Sequence, residues 1–275
     1  MKFKSVSILG CGWLGLPLAQ QLVRRGYLVR GSTTQQGKIP ALQKSSIEPY
    51  LIECSAQLNG EQVENFLKSQ VLIITIPFKR DLPDPSYYKH QIDSIIRCLN
   101  NSGVQLVIFT GSTAVYPQAI DVAEENQEIE PDNPRSAVLL AIEKILLSQP
   151  HFTSTVIRFA GLYGPGRPIG KFLAGKIQLP NPHQPVNLIH LDDCVAILER
   201  VLERGVGGQI LNACADSHPL RQKIYTRAAA NMGLPPPTFV EAPTSFQRIV
   251  ANTKLKKILE YEFTHPNPLE DIGKG

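Results

Sequence analysis

The chain has 275 residues, of which 43% are hydrophobic and 19% charged, and this composition argues against a disordered protein. The formal net charge of +4 is small and the basic residues are not bunched, so we expect no nucleic-acid partner. The five cysteines have neither zinc-site nor disulfide-framework spacing. We find neither a signal-peptide pattern nor an apolar run long enough to span a membrane, and we expect a cytoplasmic protein without a membrane partner.

Apolar strand patterns alternate with helical patterns through the first part of the chain, and several strands are nearly continuous Val, Ile and Leu. This alternation is typical of α/β proteins with a doubly wound parallel sheet of the Rossmann type, both faces of which are covered by helices. The predicted strands are 6–9, 27–30, 49–52, 71–76, 104–110 and 154–159, and the predicted helices are 14–25, 87–100 and 137–147.

The second part of the chain has a different texture. Glycine and proline crowd residues 161–185, which predicts that the chain leaves the sheet there to build a small C-terminal substrate lobe. Helices are predicted at 191–203 and 254–260. We therefore divide the chain into a Rossmann dinucleotide-binding core, residues 1–163, and a mixed segment, residues 164–275, that forms the lobe, with residues 186–213 returning to the core.

A glycine motif follows the first predicted strand and opens the first predicted helix, which is the context that a dinucleotide-binding G-x-G-x-x-G requires. Gly10 permits a tight turn, Gly12 lets a pyrophosphate approach the backbone, and Gly15 lets the helix pack closely. The helix N-terminus then offers N–H groups and a positive dipole end to the phosphates. The predicted pyrophosphate-binding residues are Gly10, Cys11, Gly12, Trp13, Leu14 and Gly15.

The end of the second strand bears on which nicotinamide dinucleotide is bound. An acidic residue here would hold the ribose hydroxyls of NAD, but residues 31–38 contain none. Ser32, Thr33 and Thr34 can hydrogen-bond a 2′-phosphate and Lys38 can neutralise it, which favours NADP over NAD, although these residues are also ordinary loop residues. Ile76, Pro77 and Thr110, at two further strand ends, are also predicted to contact the cofactor.

Several sequence blocks resemble the extended short-chain dehydrogenase/reductase family, which contains sugar-nucleotide epimerases and dehydratases. Residues 110–116 (TGSTAVY) resemble the family's serine strand, and residues 158–167 (RFAGLYGPGR) resemble its Gly-Pro-rich turn. Residues 189–195 (IHLDDCV) resemble its Ile-His-x-x-Asp-Val block, and residues 252–266 its closing helix. The resemblance spans nearly the whole chain. It implies a small-molecule substrate, with a phosphorylated or nucleotide-linked compound as the candidate, and a homodimer as the candidate assembly.

One family block is broken. If Ser112 is the family serine and Glu143 its helix glutamate, the catalytic Tyr-x-x-x-Lys pair falls on Arg135 and Leu139. Arg135 stays protonated and cannot act as a base, and Leu139 cannot bond a ribose. The chain thus resembles an atypical member: an oxidoreductase or epimerase with an altered catalytic site, or, alternatively, an inactive dinucleotide-sensing or regulatory protein.

Substitute catalytic groups are available in the sequence. Ser112 is expected to bind the substrate oxygen, and Arg135 to grip a carboxylate or phosphate, or else to form a salt bridge. Tyr116 and Tyr163 are predicted acid candidates, with packing or substrate binding as the alternative. Tyr87, Tyr88 and Lys79 are further candidates.

Charged residues in two other blocks have both functional and ordinary explanations. Basic residues Arg167 and Lys171 and nearby Lys176 are candidates for a substrate phosphate or are plain surface charge. His190, Asp192 and Asp193 lie close together, but no further His or Cys shows ligand spacing. Helix capping by Asp192 or Asp193 is a sufficient explanation, and we expect no metal site.

Overall fold

The computed structural model describes residues 2–78, 84–241 and 247–273. None of the helices in this part of the chain is both long and apolar enough to cross a membrane. The helices are α1 (Gly15–Arg24), α2 (Ile39–Lys44), α3 (Val63–Phe66), α4 (Ser86–Leu99), α5 (Pro134–Leu147), α6 (Leu191–Arg204), α7 (Arg221–Asn231) and α8 (Thr253–Leu259). The strands are β1 (Ser5–Leu9), β2 (Leu28–Thr33), β3 (Glu48–Cys54), β4 (Leu58–Gly60), β5 (Val71–Ile74), β6 (Leu106–Ser112), β7 (Val122–Ala123), β8 (Thr153–Phe159), β9 (Gly161–Tyr163), β10 (Leu188–His190), β11 (Gln209–Ala213) and β12 (Ile249–Val250).

An eight-stranded sheet has the order β11-β8-β6-β5-β1-β2-β3-β4. The pairs β1–β2, β1–β5, β2–β3 and β5–β6 are parallel, and β3–β4 is antiparallel. Every residue of β5 is buried, as expected for a parallel strand covered on both faces. The predicted α/β fold with a doubly wound, mostly parallel sheet is confirmed.

The strand register brings three carboxyl ends to the same level of the sheet. Leu9 at the end of β1 pairs with Ile74 at the end of β5, and Ile74 pairs with Phe109 near the end of β6. The loops that follow these strands therefore leave the sheet at one edge. In α/β sheets this carboxyl edge is where ligands bind.

Most predicted elements are present, with shifted ends. β5 stops at Ile74, two residues before its predicted end, and the Thr75 hydroxyl that follows donates to the carbonyls of Leu9 and Gly10 at the end of β1. α5 begins three residues early, at Pro134, because Asn133 and Ser136 form a capping box. α7 was not predicted at all: it buries only Ile224, Ala228 and Ala229, which is too weak a pattern to detect.

The chain forms two compact units, each built from separate segments. The first comprises Met1–Val115, Pro131–Ile157 and Leu198–Ile210. The second comprises Tyr116–Glu130, Arg158–Ile197 and Leu211–Gly275. The division into residues 1–163 and 164–275 rests on the crowding of glycine and proline after residue 160, and it stays a prediction.

The second unit has its own small core and its own strand pairs. β9 pairs in parallel with β10, and β7 pairs in parallel with β12. α7 approaches the turn at Ile169–Lys171 so closely that a Cβ on Gly170 would lie 2.4 Å from the carbonyl oxygen of Ala228. The buried residues of this core are Tyr163, Ile169, Leu188, Ile224 and Ala228.

Asp193 anchors the segment that follows α8. Its carboxylate is fully buried and accepts hydrogen bonds from the Tyr261 hydroxyl (2.7 Å), the Thr264 N–H (2.8 Å) and the His265 N–H (3.1 Å). Both carboxylate oxygens of Asp193 are thus used by a distant segment, and the expectation that Asp192 or Asp193 caps the helix stays a prediction. The contact to the carboxylate raises the pKa of Tyr261, after the larger effect of burial.

We expect Asp193→Ala to lower the free energy of unfolding by about 3 kcal/mol, because it leaves buried donors without an acceptor. Asp193→Asn keeps one acceptor oxygen and should give an intermediate loss. Urea denaturation of the three proteins measures both effects. An Ala variant as stable as the parent would show that the anchor contributes nothing.

Candidate functional site

The turn between β1 and α1 depends on two of its three glycines. Gly10 has φ +107°, a conformation that L side chains rarely adopt. At Gly15, a Cβ would lie 2.2 Å from the Gly10 carbonyl oxygen, which is far inside contact distance. The protein's own backbone therefore requires glycine at both positions.

Gly12 differs from the other two. It is exposed, and a Cβ added there would meet no protein atom within 4 Å. It does not have the positive φ that would require a glycine. Since the described protein atoms give no reason for a glycine here, the open space in front of Gly12 suits a group from outside the chain, such as a pyrophosphate.

Polar contacts from neighbouring strand ends hold the glycine turn. The Ser32 hydroxyl accepts from the Gly10 N–H at 2.9 Å, and the Ser32 carbonyl accepts from the Cys11 N–H at 2.8 Å. The Thr75 hydroxyl donates to the Gly10 carbonyl at 2.7 Å. Sequence reasoning missed Thr75; a lone polar residue at the end of an apolar strand is the signal that could have identified it.

The N-terminus of α1 carries the charge properties that suit an anion. Leu14, at the N-cap, gives no side-chain cap, and no acidic residue lies in the first turn. The unneutralised dipole end and the backbone N–H groups therefore favour a phosphate. Burial raises the pKa of Cys11 to about 12, so its thiol is neutral at pH 7, and Trp13 beside it is half-buried.

Polar side chains at the end of β2 are buried, whereas those that follow the strand are exposed. Ser32 and Thr33 are buried, and the Thr33 hydroxyl accepts from the Gln35 N–H at 3.1 Å. Thr34 and Lys38 are exposed. Lys38 slightly offsets the raised pKa of the Cys11 thiol, which places its charge within electrostatic reach of the glycine turn.

Two further strand ends lie along the same carboxyl edge. The hydroxyl of buried Tyr88 donates to the Ile76 carbonyl at 3.0 Å, and Pro77 next to it is exposed. The Thr110 hydroxyl donates to the Ile74 carbonyl at 2.9 Å. Ser112, at the end of β6, is half-buried, and its hydroxyl accepts from the Ala114 N–H at 3.1 Å, so its own proton can still be donated.

The two positions that we predicted to replace the family's catalytic pair have contrasting surroundings. Arg135 is exposed in the first turn of α5, and its backbone N–H donates to the Asn133 side-chain oxygen. Leu139 is only 4% exposed and belongs to the core. A lysine at position 139 would have to bury its charge, which is costly.

Tyr116 is locked inside the second unit. It is 1% exposed, its hydroxyl donates to Asn212 at 2.9 Å, and it accepts from Arg158 at 2.8 Å. The Arg158 guanidinium also lies 4.9 Å from the centre of its ring. Burial raises the pKa of Tyr116, and Arg158 partly opposes the rise. These contacts fit a structural role better than proton transfer.

Tyr163 is similarly engaged within the second unit. It is 3% exposed, and its hydroxyl donates to Asp271 at 2.5 Å. Burial and this carboxylate raise its pKa strongly. Of the other candidates in the sequence, Tyr88 is used structurally, Tyr87 is half-buried at the start of α4, and Lys79 lies outside the described residues.

Two exposed basic residues of the second unit are next in the chain to one close packing contact. Lys171 directly follows Gly170, and Arg227 directly precedes Ala228, the two residues at which the turn and α7 touch. Arg167, Lys176 and Lys223 are exposed as well. Several positive charges are therefore available near this contact.

Comparison with solved structures places this fold among known ones. A short-chain dehydrogenase/reductase superfamily protein from Agrobacterium tumefaciens, solved with bound NAD, has a TM-score of 0.78 at 17% identity and covers 98% of this chain and 96% of that one. UDP-glucuronic acid 4-epimerase from Bacillus cereus, in complex with NAD, has a TM-score of 0.78 at 17% identity, covering 97% and 96%. At these identities the similarity establishes the fold.

Sequence comparison goes further. The chain is 34% identical to Protein YeeZ of Escherichia coli K12 over 269 residues, which cover 97% of this chain and 98% of that protein. The sequence pattern of the NAD dependent epimerase/dehydratase family matches residues 6–214, from β1 to the end of β11. This match includes the glycine turn, Ser112 and the basic turn after β9. The chain therefore belongs to the NAD dependent epimerase/dehydratase family.

Proposed function

We propose that this protein is an NADP-linked oxidoreductase or epimerase that acts on a sugar-nucleotide-like substrate. The observation that carries the proposal is Gly12, the glycine that the described protein atoms do not require. Family membership implies a nicotinamide dinucleotide, and the open space at Gly12 fits its pyrophosphate. Relatives of similar fold were solved with UDP-glucuronic acid or UDP-glucose together with NAD, which motivates the substrate class.

In this proposal the pyrophosphate lies over the segment Gly10–Gly15, with the N-terminus of α1 offering N–H groups and a positive dipole end. The strand ends at Ile76, Pro77 and Thr110 flank the nucleotide. When bound, the cofactor supplies hydride transfer to or from a substrate carbon. The task of the protein is to hold that carbon in line and to manage the proton of the attached oxygen.

The choice of NADP depends on Thr34 and Lys38. Both side chains are exposed, whereas Ser32 and Thr33 are buried and already hydrogen-bonded. We therefore assign the 2′-phosphate to Thr34 and Lys38, with Ser32 and Thr33 shaping the turn. No carboxylate in residues 31–38 opposes the phosphate charge.

Ser112 is our primary candidate for contact with the substrate oxygen. Its hydroxyl oxygen is held by the Ala114 N–H, which leaves the proton for the substrate. Arg135 cannot act as a base, and we assign it to a carboxylate or phosphate of the substrate. The catalytic roles of Tyr116 and Tyr163 stay predictions. Because their hydroxyls are buried and hydrogen-bonded, we rank them as weaker candidates than Ser112.

The basic side chains of the second unit are our candidates for the phosphates of a nucleotide-linked substrate. Lys171 and Arg227 lie next to the close contact between the turn and α7, and a guanidinium can bind a phosphate through two hydrogen bonds. Self-association into a homodimer, a cytoplasmic location and the absence of a nucleic-acid partner stay predictions.

Gly12→Ala should leave stability unchanged, because the added methyl meets no protein atom, but should weaken NADP binding by about tenfold or more through contact with the pyrophosphate. Fluorescence titration with NADPH and a thermal melt measure the two effects. Gly103→Ala is the matched control, since its Cβ also meets nothing within 4 Å and it lies before β6, away from the glycine turn. Equal affinity in Gly12→Ala would remove the main support for the proposal.

Lys38→Ala should weaken NADP(H) binding about tenfold and leave NAD(H) binding unchanged, because only the former carries the 2′-phosphate. The difference should shrink at high salt, since the charges are exposed. Lys44→Ala, an exposed lysine at the end of α2, is the control. Equal affinity of the parent protein for NAD and NADP would overturn the assignment.

Turnover should be measurable with NADP(H) and a panel of sugar nucleotides, and Ser112→Ala should lower kcat/KM by about 10- to 100-fold through loss of one hydrogen bond to the reacting oxygen. Ser102→Ala is the control, because that serine lies on a loop outside the carboxyl edge and bonds the Leu99 carbonyl. Tight cofactor binding without turnover on any substrate would contradict an enzyme and favour a dinucleotide sensor.

A further inference from the structure

Two histidines and two aspartates meet within the second unit, where the segment after α8 reaches the start of α6. We call His190, Asp192, His265 and Asp271 the histidine cluster. The Asp192 Oδ2 atom lies 3.5 Å from His190 Nδ1 and 3.4 Å from His265 Nε2. One potential ligand atom from each of His190, Asp192 and His265 lies within 4.8 Å of the others.

These separations match those between ligands of a tetrahedral zinc ion. With Zn–N and Zn–O bonds of about 2.0–2.1 Å, neighbouring ligand atoms are about 3.4 Å apart. The two distances to Asp192 Oδ2 are therefore close to those of such a site, and binding by both nitrogens requires the two stacked rings to move apart. Three protein ligands leave the fourth position for water.

Asp271 gives His265 the orientation that a metal ligand needs. The Nδ1 atom of His265 lies 2.9 Å from Asp271 Oδ1, so a proton on Nδ1 is held by the carboxylate. The lone pair of the neutral ring is then on Nε2, the atom that faces Asp192. A carboxylate behind a metal-binding histidine is the common arrangement around protein-bound zinc.

The rings of His190 and His265 stack at 3.7 Å with a tilt of 30°, which brings both to the same carboxylate. His190 Nδ1 accepts a 3.2 Å hydrogen bond from the Asp192 N–H, and a metal at this nitrogen would replace that bond. His190 is therefore the weakest of the three ligands. The Asp192 side chain is 65% exposed, so an ion can enter from solvent.

We propose that His190, Asp192 and His265 form a zinc site, with Asp271 as the supporting carboxylate, and that the ion fastens the segment after α8 to the start of α6. Two imidazole nitrogens favour Zn²⁺ over Mg²⁺ or Ca²⁺, which prefer oxygen ligands. The sequence analysis argued against a metal because no third ligand was near His190 in the chain; the fold supplies His265. This inference goes beyond the proposed function and needs neither cofactor nor substrate.

Isothermal titration of the untagged, chelator-treated protein with Zn²⁺ tests the proposal. We expect one ion per chain, and binding at least about tenfold weaker in His265→Gln, Asp192→Asn and Asp271→Asn. Asp192→Asn changes an exposed side chain and should fold normally. His183→Gln is the matched control, since His183 is exposed and pairs with Glu241 instead. Zn²⁺ should also raise the melting temperature of the parent protein and of the control.

Co²⁺ is a spectroscopic probe of the same site, and the intense visible bands of four-coordinate Co²⁺ are expected for the parent and absent in His265→Gln. Mg²⁺ should give no heat. No zinc binding by the parent protein, or equal binding by His265→Gln and Asp192→Asn, would overturn the proposal. A weak, six-coordinate cobalt spectrum would overturn the tetrahedral geometry.

Discussion

The close approach of α1 to the end of β1 is the constraint on which the carboxyl edge of the sheet depends. A single carbonyl, that of Gly10, occupies the space where a side chain at residue 15 would stand. Thr75 bonds the same carbonyl from the neighbouring strand end. The glycine turn, α1 and the ends of β1 and β5 therefore all meet at the Gly10 carbonyl. This contact fixes the direction of the positive end of α1. The other strand ends reach the same edge through the register of a parallel sheet.

The second unit shows how burial changes what a tyrosine can do. Tyr116 and Tyr163 both lie within sequence blocks that resemble the family, yet each hydroxyl is held by hydrogen-bond partners and each pKa is raised. The hydrogen bonds and burial that stabilise this unit make the two tyrosine hydroxyls weaker acids. In the first unit, the position that we predicted to replace the family's lysine holds Leu139, an apolar side chain of the core.

Sequence alone was sufficient for six of the eight strands of the sheet and for the glycine turn, because these depend on local patterns: apolar strands, and glycines at fixed spacing. It gave no strand at β4 or β11. It failed for α7, whose buried face is mostly alanine, and for Thr75, whose role depends on a neighbouring strand. It also did not identify the partners of Asp193, because the donors that bind its carboxylate lie in residues 261–265. Local helix capping is visible in a sequence, whereas a partner distant in the chain is not. The assignments of single residues to the cofactor and to catalysis stay predictions.

The Asp193 anchor has a consequence for the order of events during synthesis. Its donors, from Tyr261 to His265, leave the ribosome well after the carboxylate does. At about 5–20 residues per second, the delay is roughly 3 to 14 seconds. During this interval the Asp193 carboxylate, which is fully buried in the folded protein, stays in water without the donors that later bind it. The second unit can therefore complete this contact only after residues 261–265 have been made.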